Sequence, residues 1–175
     1  MTAALADSLD VELRERRDDD LDELVAVAAR VHAVDQYPIF LPDGDLARFL
    51  TRPSPVAAWV AVRDEGVVGH VALNAETSGP VMRLAAELVP ERPVVYVARL
   101  LVDPDARRQG VGRRLLEQAG GAAAELGHLP MLAVVDTPTA AAAISLYRGE
   151  GWEEEVGRLS FHADIDELVF CSPAS

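Results

Sequence analysis

The segment Arg107-Arg108-Gln109-Gly110-Val111-Gly112-Arg113-Arg114 carries four arginines, two glycines and no acid within eight residues. It stands where an apolar run, Val94 to Val102, gives way to a helical pattern that begins near Gly110. The first turn of a helix leaves backbone N–H groups without partners, and those donors together with the helix dipole attract an anion. Glycine presents no Cβ, so Gly110 and Gly112 let a phosphate approach the main chain. The chemistry predicted for Arg107, Arg108, Gln109, Gly110, Val111, Gly112 and Arg113 is therefore phosphate binding. The same glycines would also serve close strand–helix packing, with Arg113 and Arg114 as a solvated face.

Other phosphate chemistries fit less well. A dinucleotide site of Rossmann type spaces three glycines differently and needs an acid about twenty residues further on, which is not clearly placed here. The phosphate loop of nucleotide hydrolases needs a lysine, and all sixteen basic side chains of this chain are arginine. Nucleophilic catalysis has little to work with. Cys171 is the single cysteine, which excludes a disulfide within the chain and a cysteine-based metal site. It falls in the strand-like run Leu168 to Cys171, where it reads as a small buried hydrophobe. No Ser-His-Asp signature is visible. His70 sits in an apolar strand, His32 ends a helix, and His128 and His162 read as turn and surface positions, so no metal site is predicted.

The phosphate segment must be positioned by alternating strands and helices. Val11 to Glu15 alternates as a strand, and Leu21, Leu24, Val25, Ala28 and Val31 follow at helical spacing. Asp18-Asp19-Asp20 before them reads as a solvated cap, with Asp20 and Glu23 spaced as a capping pair. Four prolines between Gln36 and Pro55 predict a loop-rich lid with a short helix over Asp45 to Leu50. Trp59 to Val62 and Val67 to Leu73 read as a hairpin around Asp64-Glu65-Gly66, and 81–88 as a helix. Val94 to Val102 is a nearly continuous apolar run and reads as a central strand covered on both faces. A helix from 110 to 126 ends at Gly127. A strand over Pro130 to Val135, a helix over Thr139 to Arg148, and a hairpin of Trp152 to Phe161 with Glu167 to Cys171 complete the pattern. The strand–helix–strand unit across 94–135 demands a parallel crossover in an otherwise hairpin-rich chain, so the sheet must be mixed. The fold class is α/β (α+β), with about seven strands and flanking helices.

Length and charge bound the rest. A chain of 175 residues has room for one domain, 1–175, with one sizeable core. Its hydrophobic fraction of 50% with only 5% aromatics means a core of Val, Leu and Ala. A net charge of -13 argues against a nucleic-acid binder, whose affinity depends on covering phosphates with cations. No apolar run of about 18 residues and no basic-flanked leader is readable, so neither a membrane span nor secretion is expected and the location predicted is cytoplasmic. Oligomeric state is open; a homodimer is the commonest assembly of soluble proteins.

At three places the residues become specific. Arg107-x-x-Gly110-x-Gly112 resembles the acetyl-CoA pyrophosphate motif of the GNAT N-acetyltransferase superfamily. Arg99-Leu100-Leu101-Val102-Asp103-Pro104 is similar to that family's central strand and the turn leaving it. Ala143-Ile144-Ser145-Leu146-Tyr147-x-x-x-Gly151-Trp152 resembles its last core helix and the following strand. The match covers 94–157 closely and 56–73 more loosely.

That resemblance implies a sheet splayed between the fourth and fifth strands, with the pantetheine arm of acetyl-CoA inserted there. It implies that backbone groups of Leu100, Leu101 and Val102 hold the arm, one N–H polarising the thioester carbonyl. It further implies acetyl transfer to a primary amine of a small molecule or peptide by direct attack, without a metal, and with Tyr147 as general acid toward the leaving thiolate. Two positions depart from the family pattern. Ala140 stands where many members have Asn, which Thr137 or Thr139 would replace only in part, and Val135 stands where some branches have a catalytic Glu. The general base is thus unassigned among Asp136, Glu76, His70 and Asp35, with His70 read chiefly as structural. Tyr37, Phe40, Trp59 and Met82 are candidates for an acceptor pocket or simple anchors of their loops. The competing reading is a non-catalytic acyl-CoA-binding module of the same fold.

Overall fold

A computed structural model describes residues 10–153, 158–162 and 164–173. The elements follow in the predicted order: β1 (Glu12–Glu15), α1 (Leu21–Asp35), α2 (Leu46–Thr51), β2 (Ala57–Arg63), β3 (Gly66–Asn74), α3 (Gly79–Leu88), β4 (Val94–Val102), α4 (Val111–Glu125), β5 (Leu129–Val135), α5 (Ala141–Gly149), β6 (Arg158–His162) and β7 (Ile165–Cys171). All seven strands join one sheet in the order β1-β2-β3-β4-β5-β7-β6. Only β4 and β5 run parallel. The predicted strand from Trp152 lies partly outside the described residues; Glu153 makes a single bridge to Cys171.

Local chemistry accounts for the joints. Asp64 and Glu65 both take positive φ, 49° and 65°, which is the two-residue turn whose twist matches a hairpin. Asp45 caps α2 by accepting from the Arg48 N–H at 2.9 Å. Gly127, at φ 73°, follows α4 as the left-handed stop residue the sequence predicted. Of the acidic run before α1, Asp18 and Asp19 are solvated as expected, whereas Asp20 is not. Asp20 is buried and takes both bonds of the Arg14 guanidinium, at 2.8 and 2.7 Å, plus the Arg17 N–H at 2.7 Å. Glu23 reaches instead to the Val67 N–H at 2.9 Å. Both acids are used to join α1 to β1 and β3, which a reading along one helix could not show.

The sheet separates two apolar layers. On one face α4 and α5 pack Val111, Leu115, Leu116, Ile144 and Tyr147 against Val71, Val95, Leu132 and Phe170. On the other, α1 and α2 bury Leu24, Val27 and Leu50 against Val60 and Leu101, and α3 buries Val81 and Ala85 against Tyr96, Met131 and Val169. Trp59, a candidate for the acceptor pocket, belongs to the α4 layer, so it is an ordinary core residue. No helix among the described residues is long and apolar enough to cross a membrane.

Candidate active site

β4 and β5 hold together only at their beginnings. Val94, Val95 and Tyr96 pair with Leu129, Pro130 and Met131; beyond that couple, 97–102 and 132–135 have no register with each other. The predicted splay between the fourth and fifth strands is therefore present, and it starts at Tyr96 and Met131.

A bulge in β4 prepares the edge of this opening. His70 pairs with Leu101 whereas Ala72 pairs with Ala98, so β4 spends one residue more than β3. Arg99 is the misfit, at φ 55°, an uncommon conformation for a side chain with a Cβ. Below the bulge the Asp103 N–H donates to Val68 O at 2.8 Å. In an antiparallel ladder neighbouring residues alternate, so Leu101 and Asp103 turn their backbone groups to β3. Leu100 and Val102 turn theirs to the opening. Of the three residues expected to hold a ligand arm, Leu100 and Val102 turn their main chain away from β3, whereas Leu101 is buried among α1 and α2 with its main chain facing β3.

The bulge is held by two arginines and a histidine. Arg99 is buried, donating to Leu50 O at 3.1 Å and Pro53 O at 3.0 Å, with its guanidinium over the Phe49 ring. His70 is completely buried; its Nδ1 lies 2.8 Å from Arg99 O, and its Nε2 lies 3.2 Å from Arg16. The arginine can only donate, so Nε2 accepts, Nδ1–H donates, and the ring is neutral. Burial, aided by the Arg16 charge, lowers its pKa to about 4. His70 is thus structural and no base for an amine.

At the end of β4 the phosphate segment is an open helix start. Gly110 is the residue before α4, at φ 78°, and no side chain caps the helix. A Cβ on Gly110 would meet nothing within 4 Å, whereas one on Gly112 would lie 3.3 Å from Leu146 and 3.4 Å from Val102. The two glycines thus have different uses. Gly110 gives the left-handed turn and free space, and Gly112 lets α4 pack against α5 and β4. Val111 is buried and anchors the helix in the core. The positive patch is partly neutralised: Arg107 pairs with Asp35, Arg113 with Glu117 at 3.1 Å and Glu150 at 3.3 Å, and Arg114 donates to Val11 O at 2.5 Å. Gln109 accepts from Arg63 at 2.6 Å. Arg108 is exposed, and among the described residues it makes no ion pair.

Tyr147 stands on α5, in the layer on the α4 face of the sheet. Its ring is buried and packs on Phe170, centroids 5.6 Å apart. Among the described residues its hydroxyl has no hydrogen-bond partner. Burial raises its pKa, and an anionic Tyr37 would raise it further. Tyr37 belongs to the α1–α2 layer, edge-on to Phe49 at 5.7 Å. Tyr37 and Tyr147 thus belong to layers on opposite faces of the sheet.

The remaining candidates separate clearly. Asp35 is occupied by Arg107, and Asp136 by Arg158 at 2.7 Å. Glu76 is exposed in the loop before α3. Phe40 is 73% exposed, so it anchors nothing, and Met82 lies on α3 and packs against the apolar layer beneath it. Ala140 precedes α5, and Thr137 and Thr139 face each other at 3.2 Å. No cluster of metal-ligating side chains occurs among the described residues. One acid escaped the sequence reading: Glu167 on β7, the cross-strand partner of Val135. Its place at the start of the strand-like run Glu167 to Cys171 is visible in the sequence, but which strand lies beside β5 is a tertiary fact.

Comparison with known proteins places this arrangement. A family model described as "Acetyltransferase (GNAT) family" matches residues 26–152. Arabidopsis thaliana NAA60 in complex with acetyl-CoA is 19% identical with a TM-score of 0.68, over 93% of this chain and 97% of that one. The PaiA N-acetyltransferase of Thermoplasma acidophilum in complex with coenzyme A is 15% identical with a TM-score of 0.65, over 91% and 98%. An N-acetyltransferase from Staphylococcus aureus Mu50 is 18% identical with a TM-score of 0.64, over 92% and 96%. With a family match across most of its length, this chain belongs to the GNAT acetyltransferase family.

Proposed function

We propose that the chain is an acetyl-CoA-dependent N-acetyltransferase, working as one domain in the cytoplasm on a primary amine of a small molecule or peptide. The observation that carries this reading is the parted sheet, with Tyr147 in the layer on one of its faces and the open α4 start at the end of β4. Acetyl-CoA is a substrate here, and it supplies an activated acyl carbon. The free N–H groups of the α4 start, with Arg108 beside them, suit its phosphates. The backbone of Leu100 and Val102 suits an extended arm, and an N–H on this edge would stabilise the oxyanion of a tetrahedral intermediate. Tyr147 keeps its proton at neutral pH because burial disfavours the phenolate, so it is available to the departing thiolate. An acceptor would enter from the face of α1, α2 and α3, beside Tyr37. The charge balance of the chain fits small cationic acceptors and not nucleic acid.

Incubation with acetyl-CoA and a broad amine panel tests this, following free CoA together with acceptor mass. The expected result is CoA release with a gain of about 42 mass units, one acetyl group, on an amine. Thermal stabilisation by acetyl-CoA without CoA release from any amine would favour the binding-module reading instead.

A further inference from the structure

We propose that Glu167 is the general base of this site, supplying from β7 the carboxylate that Val135 on β5 lacks. The inference rests on the acetyltransferase reading above and adds the proton acceptor that reading needs.

Register gives the first argument. Val135 and Glu167 are direct cross-strand partners, and directly paired residues point to the same face with Cβ atoms about 5 Å apart. Leu168 and Phe170 belong to the α4 layer and Val169 to the α3 layer, so alternation puts Glu167 on the face of α1, α2 and α3. That is the acceptor side, opposite the face from which Tyr147 comes. Level gives the second. Tyr96 and Met131 are the last paired couple, and the bulge at Arg99 costs β4 one residue beyond it, so Val135, four residues past Met131, counts level with Leu101 and next to the turned-out backbone of Leu100. Glu167 is one strand further from the opening, about 4.8 Å in the pairing direction, so its proton exchange with the acceptor runs through water.

Environment gives the third. Glu167 is half-buried and has no hydrogen-bond or ion-pair partner among the described residues, while its cross-strand neighbours are Val135 on β5 and Leu159 on β6. Burial alone raises its pKa, and no charged group contributes. A half-buried acid with aliphatic neighbours works against folding, and such groups concentrate where proton transfer is needed. Asp136, Asp35 and His70 are each engaged elsewhere, and Glu76 lies in solvent.

The chemistry balances as follows. The acceptor ammonium gives one proton through a water to the Glu167 carboxylate, which releases it to solvent. The freed nitrogen lone pair forms the C–N bond to the thioester carbon. Collapse breaks the C–S bond, the thiolate takes the Tyr147 proton, and the surplus proton on the new amide nitrogen returns to the phenolate. Acid and base thus act from opposite faces of the parted sheet.

Glu167→Gln, compared with the unchanged protein and with the exchange Val135→Glu/Glu167→Val, provides the test. At pH 7 we expect kcat/KM of Glu167→Gln to fall about 100-fold. The deficit should shrink as pH rises toward 10, where the amine ionises unaided, and the exchange variant should recover at least ten-fold. Without ligand, Glu167→Gln should melt at a higher temperature at pH 7, because it removes a carboxylate that burial disfavours; a structural acid would give a lower one. A deficit under two-fold, a deficit independent of pH, or a lowered melting temperature would each overturn the assignment. If the unchanged protein releases no CoA with any amine, the transferase reading fails and this proposal with it; turnover that Glu167→Gln leaves intact defeats this proposal alone.

Discussion

Arg107 grips both carboxylate oxygens of Asp35, at 3.2 and 2.5 Å, while its Nε donates to the Val102 carbonyl at 3.3 Å. A side chain selected on the sequence for phosphate binding thus clamps the end of α1 to the end of β4. Both partners are partly exposed, so the pair contributes about 1 kcal/mol. Asp35→Asn is expected to lower stability by about that amount in urea unfolding without weakening acetyl-CoA binding by calorimetry. Arg107→Gln should lower both stability and affinity. A loss of affinity in Asp35→Asn would mean that the clamp itself shapes the ligand site.

Gly110 and Gly112 should separate in their variants. Gly110→Ala introduces about 1 kcal/mol of left-handed strain and places a methyl group in the open space before α4, so acetyl-CoA affinity should fall at least ten-fold. Gly112→Ala must push Leu146 or Val102 by a few tenths of an ångström, so its expected effect is about 1 kcal/mol or more of lost stability, with a smaller change in affinity. Ligand titration and urea unfolding of both variants would show this crossing.

Tyr147→Phe removes a hydroxyl that has no partner among the described residues, so stability should change by less than about 0.5 kcal/mol. Stabilisation by acetyl-CoA should persist. Turnover should drop by about 100- to 10,000-fold, and a drop in binding of the same size would contradict the role given to it.

His70 makes stability depend on pH with a definite sign. Its folded pKa, about 4, lies below its ordinary 6.5, so as pH falls the unfolded chain takes up the proton first. The stabilisation is complete above about pH 6.5 and is lost progressively down to about pH 4, roughly 3 kcal/mol over the interval. Urea midpoints should therefore decline between pH 7 and pH 5 in the parent, and the slope should flatten in His70→Gln.

Much of this was readable along the chain because its signals are local. Hydrophobic pattern and turn residues give most of the helices and strands in order, and the glycine pair with its flanking strand and helix marks the open start of α4. What escaped reading depends on distant partners. Asp20 looks solvated until Arg14 is brought over it by the pairing of β1 with β2. Arg99 looks like a polar interruption of an apolar strand until Leu50, Pro53 and His70 close around its bulge. Trp59 looks available to a pocket because alternation alone does not say which face is which. Glu167 looks like an ordinary strand residue until the sheet order sets β7 beside β5.

That sheet order also has a consequence during synthesis. β5 borders an opening on one side, and its other edge is covered only by β7, whose Glu167 lies thirty-two positions beyond Val135 (167 − 135). On the ribosome, the apolar stretch from Pro130 to Val135 therefore waits with an uncovered edge until Ile165 to Cys171 has emerged. Such an edge is a template for pairing with another chain, so the interval between making β5 and making β7 is the time when this protein is most exposed to aggregation.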